Sequence, residues 1–303
     1  MRNGTYSIVA RDHATGELGV AVQSHWFSVG SVVAWARPGV GAVATQSVAE
    51  VAHGPNALDR LAGGLDPAAA IAAVLAGDEL AHYRQLGVAD ASGQVAAHTG
   101  AGCIPHAGDT AGDGFTCQAN MMASDTVPDA MANAYRSHHG DLADRMMAAL
   151  DAAEEAGGDV RGRQSAALLV VPPTGEPWRT RFDVRVEDHA QPLQELSRVL
   201  RLARAYEMAG QADELVAEGA YAEATSLYLE AAALAPEADE LTFWAGIGVA
   251  AQDLPAGVEL VRAAAASKPA WLTLLDRLPE ELAPTAEAIS RAIGGSATPA
   301  ASG

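Results

Sequence analysis

The chain has 303 residues, of which 49% are hydrophobic, and its 38 acidic and 19 basic side chains give a formal net charge of −19. This negative charge argues against nucleic acids and anionic membranes as partners, because both bind clustered cations. No apolar run reaches the roughly 18 residues that span a bilayer. The N-terminus also lacks the apolar stretch and cleavage site of a signal peptide, so we expect a soluble, cytoplasmic protein.

Blocks of strand pattern alternate with blocks of helix pattern over the first 190 residues. Apolar alternation or continuous apolar runs predict strands at 6–10, 18–23, 32–36, 42–45, 85–89, 94–98, 115–119, 165–171 and 181–186. Helical spacing predicts one helix through Leu58 and Leu61 and others from Pro67, from Pro128 and over 141–156. Because strands and helices come in separate blocks, the order indicates sheets covered by helices rather than alternating βαβ units.

The C-terminal third is alanine-rich and helical in pattern. Residues 221–236 align without gaps on residues 254–269, an offset of 33 residues from 221 to 254. This period is typical of tetratricopeptide-type repeats, although an unrelated helical bundle would also accommodate it. The sequence therefore predicts an N-terminal domain over 1–190, a helical-repeat module over 191–293, and a disordered tail over 294–303 that is rich in Ala, Ser and Pro.

Two repeats bury little surface by themselves, so the module is expected to pack on the first domain or on a second subunit. Phe243, Trp244 and Trp271 are large apolar residues that we expect to have few partners inside so small a module. Leaving them in water would forfeit roughly 1.5–3 kcal/mol each. We therefore predict a homodimer, with a monomer whose module folds back on its own domain as the alternative.

Two cysteines, Cys103 and Cys117, are too few for a disulfide framework and are expected to be thiols. With His98 and His106 they form an H-x4-C-x2-H-x10-C spacing, which matches no standard zinc signature. We therefore expect neither a metal ion nor another cofactor.

Several segments resemble DUF1028, a bacterial family of unknown function. They run in order through almost all of residues 5–190. The segments are 5–31 (TYSIVARDHATGELGVAVQSHWFSVGS), 39–46 (GVGAVATQ), 96–100 (AAHTG), 118–122 (QANMM) and 157–171 (GGDVRGRQSAALLVV). The family is placed among N-terminal nucleophile (Ntn) hydrolases by fold, so the resemblance implies an α+β domain built as a four-layer αββα sandwich. Residues 243–250 (FWAGIGVA) resemble a C-terminal segment of some members that is described as peptidoglycan-binding.

The resemblance implies a nucleophile at the first residue of the mature chain. In Ntn hydrolases this residue is Thr, Ser or Cys, and its α-amino group acts as the base. Thr5 fits this position, and Gly4 is the kind of residue that precedes a self-cleaved threonine in proteasome-type members. Maturation would then require cleavage at Gly4–Thr5. The alternative is that Thr5 is an ordinary strand residue.

Proteasome-type enzymes place a lysine beside the nucleophile, but Lys268 is the only lysine in this chain. An arginine such as Arg11, Arg37 or Arg163 would have to supply the positive charge. Arginine cannot shuttle a proton, because it stays protonated in proteins.

Polar residues end the second predicted strand beside the start of the first. Gln23, Ser24 and His25 are the candidates there. Ser24 and His25 are sequence neighbours, so their side chains point in opposite directions from a strand and do not by themselves form a nucleophile–base pair.

Two further groups of polar residues border strands. Asn120, at the end of an alternating strand, is a candidate oxyanion donor. Arg163, Gln164 and Ser165 enter a strand that is predicted to be central, where polar groups are costly unless they are used.

Two functions follow from these patterns. The first is an Ntn-type hydrolase that cleaves a small amide or peptide bond, with Thr5 as nucleophile and Gln23, Ser24, Asn120 and Ser165 orienting or stabilising groups. The alternative is a non-catalytic protein that binds a small ligand on the same scaffold and a protein partner through its repeats.

Overall fold

The computed structural model of the chain describes residues 2–295, which divide into two compact units between Val199 and Leu200. The first unit combines two antiparallel sheets with helices, and the second unit is helical. Of the tail predicted to be disordered, Gly294 and Gly295 instead end the last helix. The remaining residues of that tail, 296–303, lie outside the described part of the chain.

The described residues contain eleven strands and eleven α-helices. Strands β1 to β11 are Arg2–Asn3, Thr5–Arg11, Leu18–Ser24, Ala34–Arg37, Gly41–Val48, Arg84–Asp90, Val95–Thr99, Gly108–Gly112, Phe115–Asn120, Ser165–Val171 and Phe182–Val186. Helices α1 to α11 are Gly30–Val33, His53–Ala62, Pro67–Leu75, Val127–Ser137, Leu142–Glu155, Pro192–Ala217, Tyr221–Leu234, Asp239–Val249, Leu254–Ser267, Ala270–Leu275 and Ala286–Gly295.

The larger sheet has six strands in the order β11-β10-β3-β2-β9-β8. The smaller sheet has five, in the order β1-β5-β6-β7, with β4 also paired to β5. Residues of β2, β3, β9 and β10 contact residues of β4, β5 and β6 across the two sheets. Helices α2 and α3 contact the smaller sheet, whereas α4 and α5 contact the larger one.

The contact between the two sheets is largely apolar. Alternate residues of the strands point into it and form one core cluster. Its members include Val9, Leu18, Val20, Val22, Ala42, Ala44, Leu169 and Val171. The helices of the larger sheet begin where the sequence indicates, and Asp141 caps α5 by accepting a hydrogen bond from the backbone N–H of Asp144 at 3.0 Å.

Most strands and helices predicted for residues 1–190 are confirmed, but the prediction of a strand over 32–36 is partly wrong. Residues Gly30–Val33 form a helical turn, and the strand begins at Ala34. Ser28, just before this turn, adopts a left-handed backbone conformation with φ of 56°. The Val29 N–H also donates to the Ser165 hydroxyl at 3.0 Å. Strands β1 and β8 were not predicted, because neither has an apolar alternation.

In the second unit, the two aligned segments form matching helices. Helices α7 and α9 have 14 residues each and begin at the equivalent positions Tyr221 and Leu254. Both helices end shortly before a proline, Pro236 or Pro269. The tetratricopeptide-type interpretation of these helices remains a prediction.

The expectation that the aromatic residues of this unit have few internal partners is wrong. Phe243 is fully buried and stacks on Trp271 at 4.8 Å between ring centroids. Trp244 meets the edge of Phe243 at 5.2 Å. These rings join an apolar cluster with Val258 and Val261, so their burial needs no second subunit. The homodimer remains a prediction without this support.

Candidate functional site

The ends of three adjacent strands of the larger sheet bring predicted site residues together. Thr5 begins β2, and it lies opposite Ser24, the last residue of β3. On its other side Thr5 lies opposite Asn120, the last residue of β9. All three residues are buried. Three of the eight predicted residues therefore converge at one end of the sheet.

Two hydroxyl groups connect Thr5 to the carbonyl group that precedes it. The Ser24 hydroxyl donates a short hydrogen bond to the carbonyl oxygen of Gly4. Thr5 Oγ1 lies 3.1 Å from Ser24 Oγ. Since Ser24 has a single hydroxyl hydrogen and the carbonyl receives it, Thr5 is the donor of the second bond.

A positive charge lies against the same carbonyl oxygen. Arg161 Nη2 donates to the oxygen of Gly4 at 2.9 Å. The guanidinium is held by Asp159, whose two carboxylate oxygens accept from Nη2 at 2.7 Å and from Nε at 3.1 Å. The Asp159 side chain is fully buried. Such a bidentate, charge-assisted pair fixes the direction in which Arg161 donates.

The expected sources of positive charge, Arg11, Arg37 and Arg163, were the wrong arginines. Arg37 pairs with Asp59 at 2.9 Å, and Arg11 is the last residue of β2, at the end remote from Thr5. The guanidinium that lies against the carbonyl of Gly4 is that of Arg161. The prediction failed because a loop residue has no side-chain periodicity that would indicate its direction.

Arg161 lies in the loop between α5 and β10, residues 156–164. At this loop, two segments that resemble the DUF1028 family, 118–122 and 157–171, contact each other. Met122 and Asp159 form a β-bridge. The Val160 N–H donates to the carbonyl oxygen of Met121 at 3.2 Å. Met121 has a φ of 60°, which is uncommon for a residue other than glycine. The backbone N–H of His25 also donates to Asp159 Oδ2, at 3.2 Å. The loop that carries Arg161 is thus attached to the ends of β9 and β3.

A buried cluster of amides holds the backbone of Thr5. Gln46 Nε2 and Asn120 Nδ2 donate to the carbonyl oxygen of Thr5 at 3.4 and 3.5 Å. Each also donates to Gln85 Oε1 at 2.9 Å. Gln85 in turn donates to the carbonyl oxygen of Ala119 at 2.9 Å. Asn120, predicted as an oxyanion donor, therefore contacts the carbonyl of Thr5 rather than that of Gly4.

The amide cluster continues along β2 to Ser7. The Ser7 hydroxyl donates to Gln46 Oε1 at 2.6 Å and accepts from Gln118 Nε2 at 2.7 Å. Gln118 packs on Gly87, where an added Cβ would lie 2.2 Å from Gln118 Oε1. Sequence reasoning missed Gln46, Gln85 and Gln118. Their signal was a polar residue at an inward position of an otherwise apolar strand.

Gln23 lies on the other face of β3 from Ser24. It is opposite Tyr6 in the neighbouring strand, and Tyr6 donates to Glu154 of α5 at 2.5 Å. Burial, together with the Glu154 carboxylate, raises the pKa of Tyr6 well above its usual value. Gln23 is fully buried, and neither of its amide atoms has a hydrogen-bond partner among residues 2–295. The structure therefore separates Gln23 from Thr5.

His25 follows the end of β3, and its ring does not pair with Ser24. Its Nδ1 lies 3.2 Å from the carbonyl oxygen of Arg163. The side chain of Arg163 pairs with Glu154 at 2.5 Å and donates to Gln191 at 2.7 Å.

Gln164 and Ser165 form hydrogen bonds to neighbouring loops rather than to Thr5. Gln164 Nε2 donates to Asp188 at 3.1 Å, and its backbone N–H donates to the carbonyl oxygen of Ser24 at 3.1 Å. The Ser165 hydroxyl donates to the carbonyl oxygen of Trp26 and accepts from Val29. Ser165 therefore stabilises the turn that follows β3.

Residues before Thr5 add a strand to the smaller sheet. In β1, Arg2 pairs with Val48 and Asn3 pairs with Ser47 of β5. Ser47 has a φ of 71°. This left-handed backbone conformation is unfavourable by about 1–3 kcal/mol for residues other than glycine.

An ion-pair cluster supports the end of β5. Arg84 donates to the carbonyl oxygen of Val48 and to both oxygens of Asp78, at 2.7 and 3.2 Å. His53 Nε2 lies 2.8 Å from the same carboxylate. The hydrogen bonds from Arg84, with a smaller contribution from His53, hold the pKa of Asp78 well below its usual range even though burial acts in the opposite direction.

The thiols and histidines considered for zinc lie apart. Cys117 lies on the same face of β9 as Phe115. Cys103 Sγ lies 3.5 Å from the carbonyl oxygen of Arg84, and His98 Nε2 lies 3.2 Å from the carbonyl oxygen of Ala81. Over residues 2–295, no group of three or more His, Cys, Asp or Glu side chains is arranged to hold a metal ion. Within the same residues, no helix has both the length and the apolar character needed to cross a membrane.

Comparison with known proteins places the first unit in a family. The protein SPO2555 from Silicibacter pomeroyi, which carries the DUF1028 family designation, is 31% identical, with a TM-score of 0.60 over 65% of this chain and 84% of that one. Anbu, an ancestral beta-subunit from Yersinia bercovieri, is 12% identical, with a TM-score of 0.33 over 71% of this chain and 96% of that one. No functionally curated protein shows significant similarity. Since the model of DUF1028, a family of unknown function, matches residues 5–196, the chain belongs to the DUF1028 family.

Proposed function

We propose that this protein is an Ntn-type hydrolase that frees Thr5 by cleaving its own Gly4–Thr5 bond and then cleaves a small amide or peptide bond. One observation carries the proposal: the carbonyl oxygen of Gly4 accepts hydrogen bonds from Ser24 and Arg161, while the hydroxyl of Thr5 is bonded to Ser24. The contacting sheets, with helices against each, support a four-layer αββα arrangement for the first unit.

The groups around Gly4 fit an attack by Thr5 on the preceding carbonyl. Thr5 Oγ1 adds to the carbonyl carbon, its proton passes to Ser24, and the proton of Ser24 passes to the carbonyl oxygen. Arg161 stabilises the partial negative charge that this oxygen carries in the transition state, before the proton arrives. The oxygen then returns this proton to the nitrogen, the C–N bond breaks, and Gly4 is left joined to Thr5 as an ester. Water hydrolyses the ester to a Gly4 carboxylate and a free Thr5 hydroxyl.

The same residues would serve turnover. Free α-amino groups ordinarily have a pKa of about 8, so the freed group of Thr5 is suited to take the hydroxyl proton as Oγ1 attacks a substrate carbonyl. It then transfers this proton to the leaving amine, and water releases the acyl group from the ester. Gln46 and Asn120, which hold the carbonyl of Thr5, orient the nucleophile. A cationic arginine fits this scheme because Arg161 only has to donate hydrogen bonds.

A specific observation also supports a second candidate, a non-catalytic binding protein. Thr5 and Ser24 are both fully buried while the N-terminal segment is in place. If the Gly4–Thr5 bond stays intact, the hydroxyl of Thr5 has no access to a substrate. The two candidates therefore differ in the fate of one peptide bond.

The mass of the purified protein tests the proposal. We expect a species that begins at Thr5, lost in Thr5→Ala and retained, at a lower rate, in Thr5→Ser. Thr116→Ala is a matched control, because Thr116 is fully buried in β9 and its hydroxyl has no partner in the described chain. Wild-type protein that keeps residues 1–4 across pH and time, and turns over no member of an amide library, would contradict the hydrolase, and thermal stabilisation by a small ligand without turnover would support the binding protein.

A further inference from the structure

The N-terminal segment occupies an edge of the smaller sheet as a bound peptide would. One edge of β5 pairs with β6 along residues 41–47, so β4 and β1 share the other edge. Strand β4 pairs with residues 41–44, and β1 pairs with Ser47 and Val48. Removal of residues 1–4 therefore exposes a short stretch of unpaired backbone beside Thr5. Arg84 keeps the carbonyl group of Val48 in place.

Self-cleavage and turnover pass through the same kind of intermediate. The ester formed from the Gly4–Thr5 bond is an acyl-enzyme whose acyl group ends in Gly4. A substrate's acyl group must become attached to the same oxygen, next to the same donors, Ser24 and Arg161. The surroundings of Gly4 therefore indicate which acyl groups fit the site.

The site leaves no room for a side chain at the position of Gly4. A Cβ added there would lie 2.8 Å from Asp159 Oδ2 and 3.0 Å from Arg161 Nη2. Neither atom can move freely, because the two groups bind each other and Asp159 also accepts from the backbone of His25. Displacing them would move the donor that contacts the carbonyl oxygen.

We infer that the substrate is an extended peptide or peptide-like amide whose acyl side ends in glycine, an inference that rests on the proposed function. Its last residues pair with Ser47 and Val48 of β5, and its glycyl carbonyl accepts from Ser24 and Arg161. Asp159, through the position of its carboxylate, disfavours residues larger than glycine. The bond that breaks is the one between the glycyl carbonyl carbon and the leaving nitrogen, and the products are a peptide with a C-terminal glycine and a free amine.

Selectivity of the mature protein tests the inference directly. The probes are acetyl-Arg-Asn-Gly-aminomethylcoumarin and the same peptide with alanine or leucine at the last position. We expect the glycyl peptide to have the highest kcat/KM, with the alanyl peptide about ten- to a hundredfold lower, because overpacking of a rigid site carries a cost of that size. Asp159→Ala should slow the hydrolysis of both the glycyl and the alanyl peptide, but it should bring their kcat/KM values closer together. A purely structural role of Asp159 would not change this ratio.

Self-cleavage offers an independent measurement on the full chain. Gly4→Ala should slow the appearance of the species that begins at Thr5 by at least about tenfold. Gly108→Ala is the control, because a Cβ added there meets no atom of residues 2–295 within 4 Å. Equal thermal midpoints of the two variants would exclude a folding defect.

The outcomes separate the inference from the proposed function. Wild-type self-cleavage combined with a preference for alanine or leucine, or with no turnover of the glycyl peptide, overturns the inference and leaves the hydrolase standing. Gly4→Ala that matures at the wild-type rate also overturns it. If the wild type neither matures nor hydrolyses any amide, the proposed function itself fails.

Discussion

The space between the two sheets has an apolar end and a polar end, although the same strands line both. Leu18, Val20 and Leu169 lie at the apolar end, whereas Thr5 and Gln85 lie at the polar end. Both ends are almost completely buried, so burial does not distinguish them. A buried polar group is costly unless it is hydrogen-bonded, and at the polar end most of these groups are bonded to one another in a shared network. The comparison teaches that a candidate site can be recognised by connected polar groups inside a core.

The largest expected effect concerns Arg161, the cation at the polar end. Arg161→Met should slow self-cleavage by about 10²–10³-fold, as is typical for the loss of one oxyanion donor. The matched control is Arg163→Met, because Arg163 pairs with Glu154 and Gln191 instead. The time course of maturation, followed by mass spectrometry, measures both variants. Equal rates for the two would mean that the contact between Arg161 and Gly4 has no catalytic part.

At the apolar end, Leu18→Ala should reduce the free energy of unfolding by about 2–5 kcal/mol, because it opens a cavity between the sheets. Leu18 is fully buried. The rate of maturation of the folded protein should change little. Denaturant titration and mass spectrometry on the same sample separate the two quantities. A large change in maturation rate would show that the two ends are not independent.

The ion pair beside the polar end makes a pH-dependent contribution to stability. The hydrogen bonds from Arg84 lower the folded-state pKa of Asp78, so the ionised carboxylate stabilises the fold above its unfolded pKa of about 4. This contribution is lost as the pH falls through the folded-state pKa.

Asp78→Asn should therefore cost about 3 kcal/mol at pH 7, with Arg84 left without its charge partner. The difference from wild type should shrink as the pH falls below about 4. Denaturant titrations at pH 3 to 7 measure it. Asp59→Asn is the control, since Asp59 is 66% exposed in its pair with Arg37 and such pairs contribute at most about 1 kcal/mol. A difference that is constant with pH would contradict the role given to Asp78.

The smallest expected effects are the changes in stability on replacing two fully buried glutamines, Gln85 and Gln23. Gln85 accepts from Gln46 and Asn120, so Gln85→Met should destabilise the fold by about 1–3 kcal/mol. It should also slow maturation, because the carbonyl of Thr5 loses its fixed donors. Gln23 has no hydrogen-bond partner in the described chain. Gln23→Met should therefore be neutral or stabilising by about 1 kcal/mol. Thermal melts of the two variants measure these changes. Equal losses of stability would contradict the difference predicted between the bonded Gln85 and the unbonded Gln23.

Much of the first unit follows from the sequence by itself. The apolar pattern predicts strands β2 and β3, and Pro67, Asp141 and the glycines at 157 and 158 lie at helix ends. The position of Thr5 directly after Gly4 is likewise visible in the sequence. These features are local, because strand period and helix caps depend on residues only a few positions apart.

Tertiary structure alone decided which groups surround Gly4. Arg161 and Arg163 are two residues apart, and the former is directed to Gly4 by its ion pair with Asp159, which is itself bonded to the ends of β9 and β3. Gln46 and Gln85 come from the other sheet, and their contact with Thr5 depends on how the two sheets face each other. Long-range contacts of this kind leave no periodic trace in a sequence, since the direction of a loop side chain is set by the elements to which the loop is bonded.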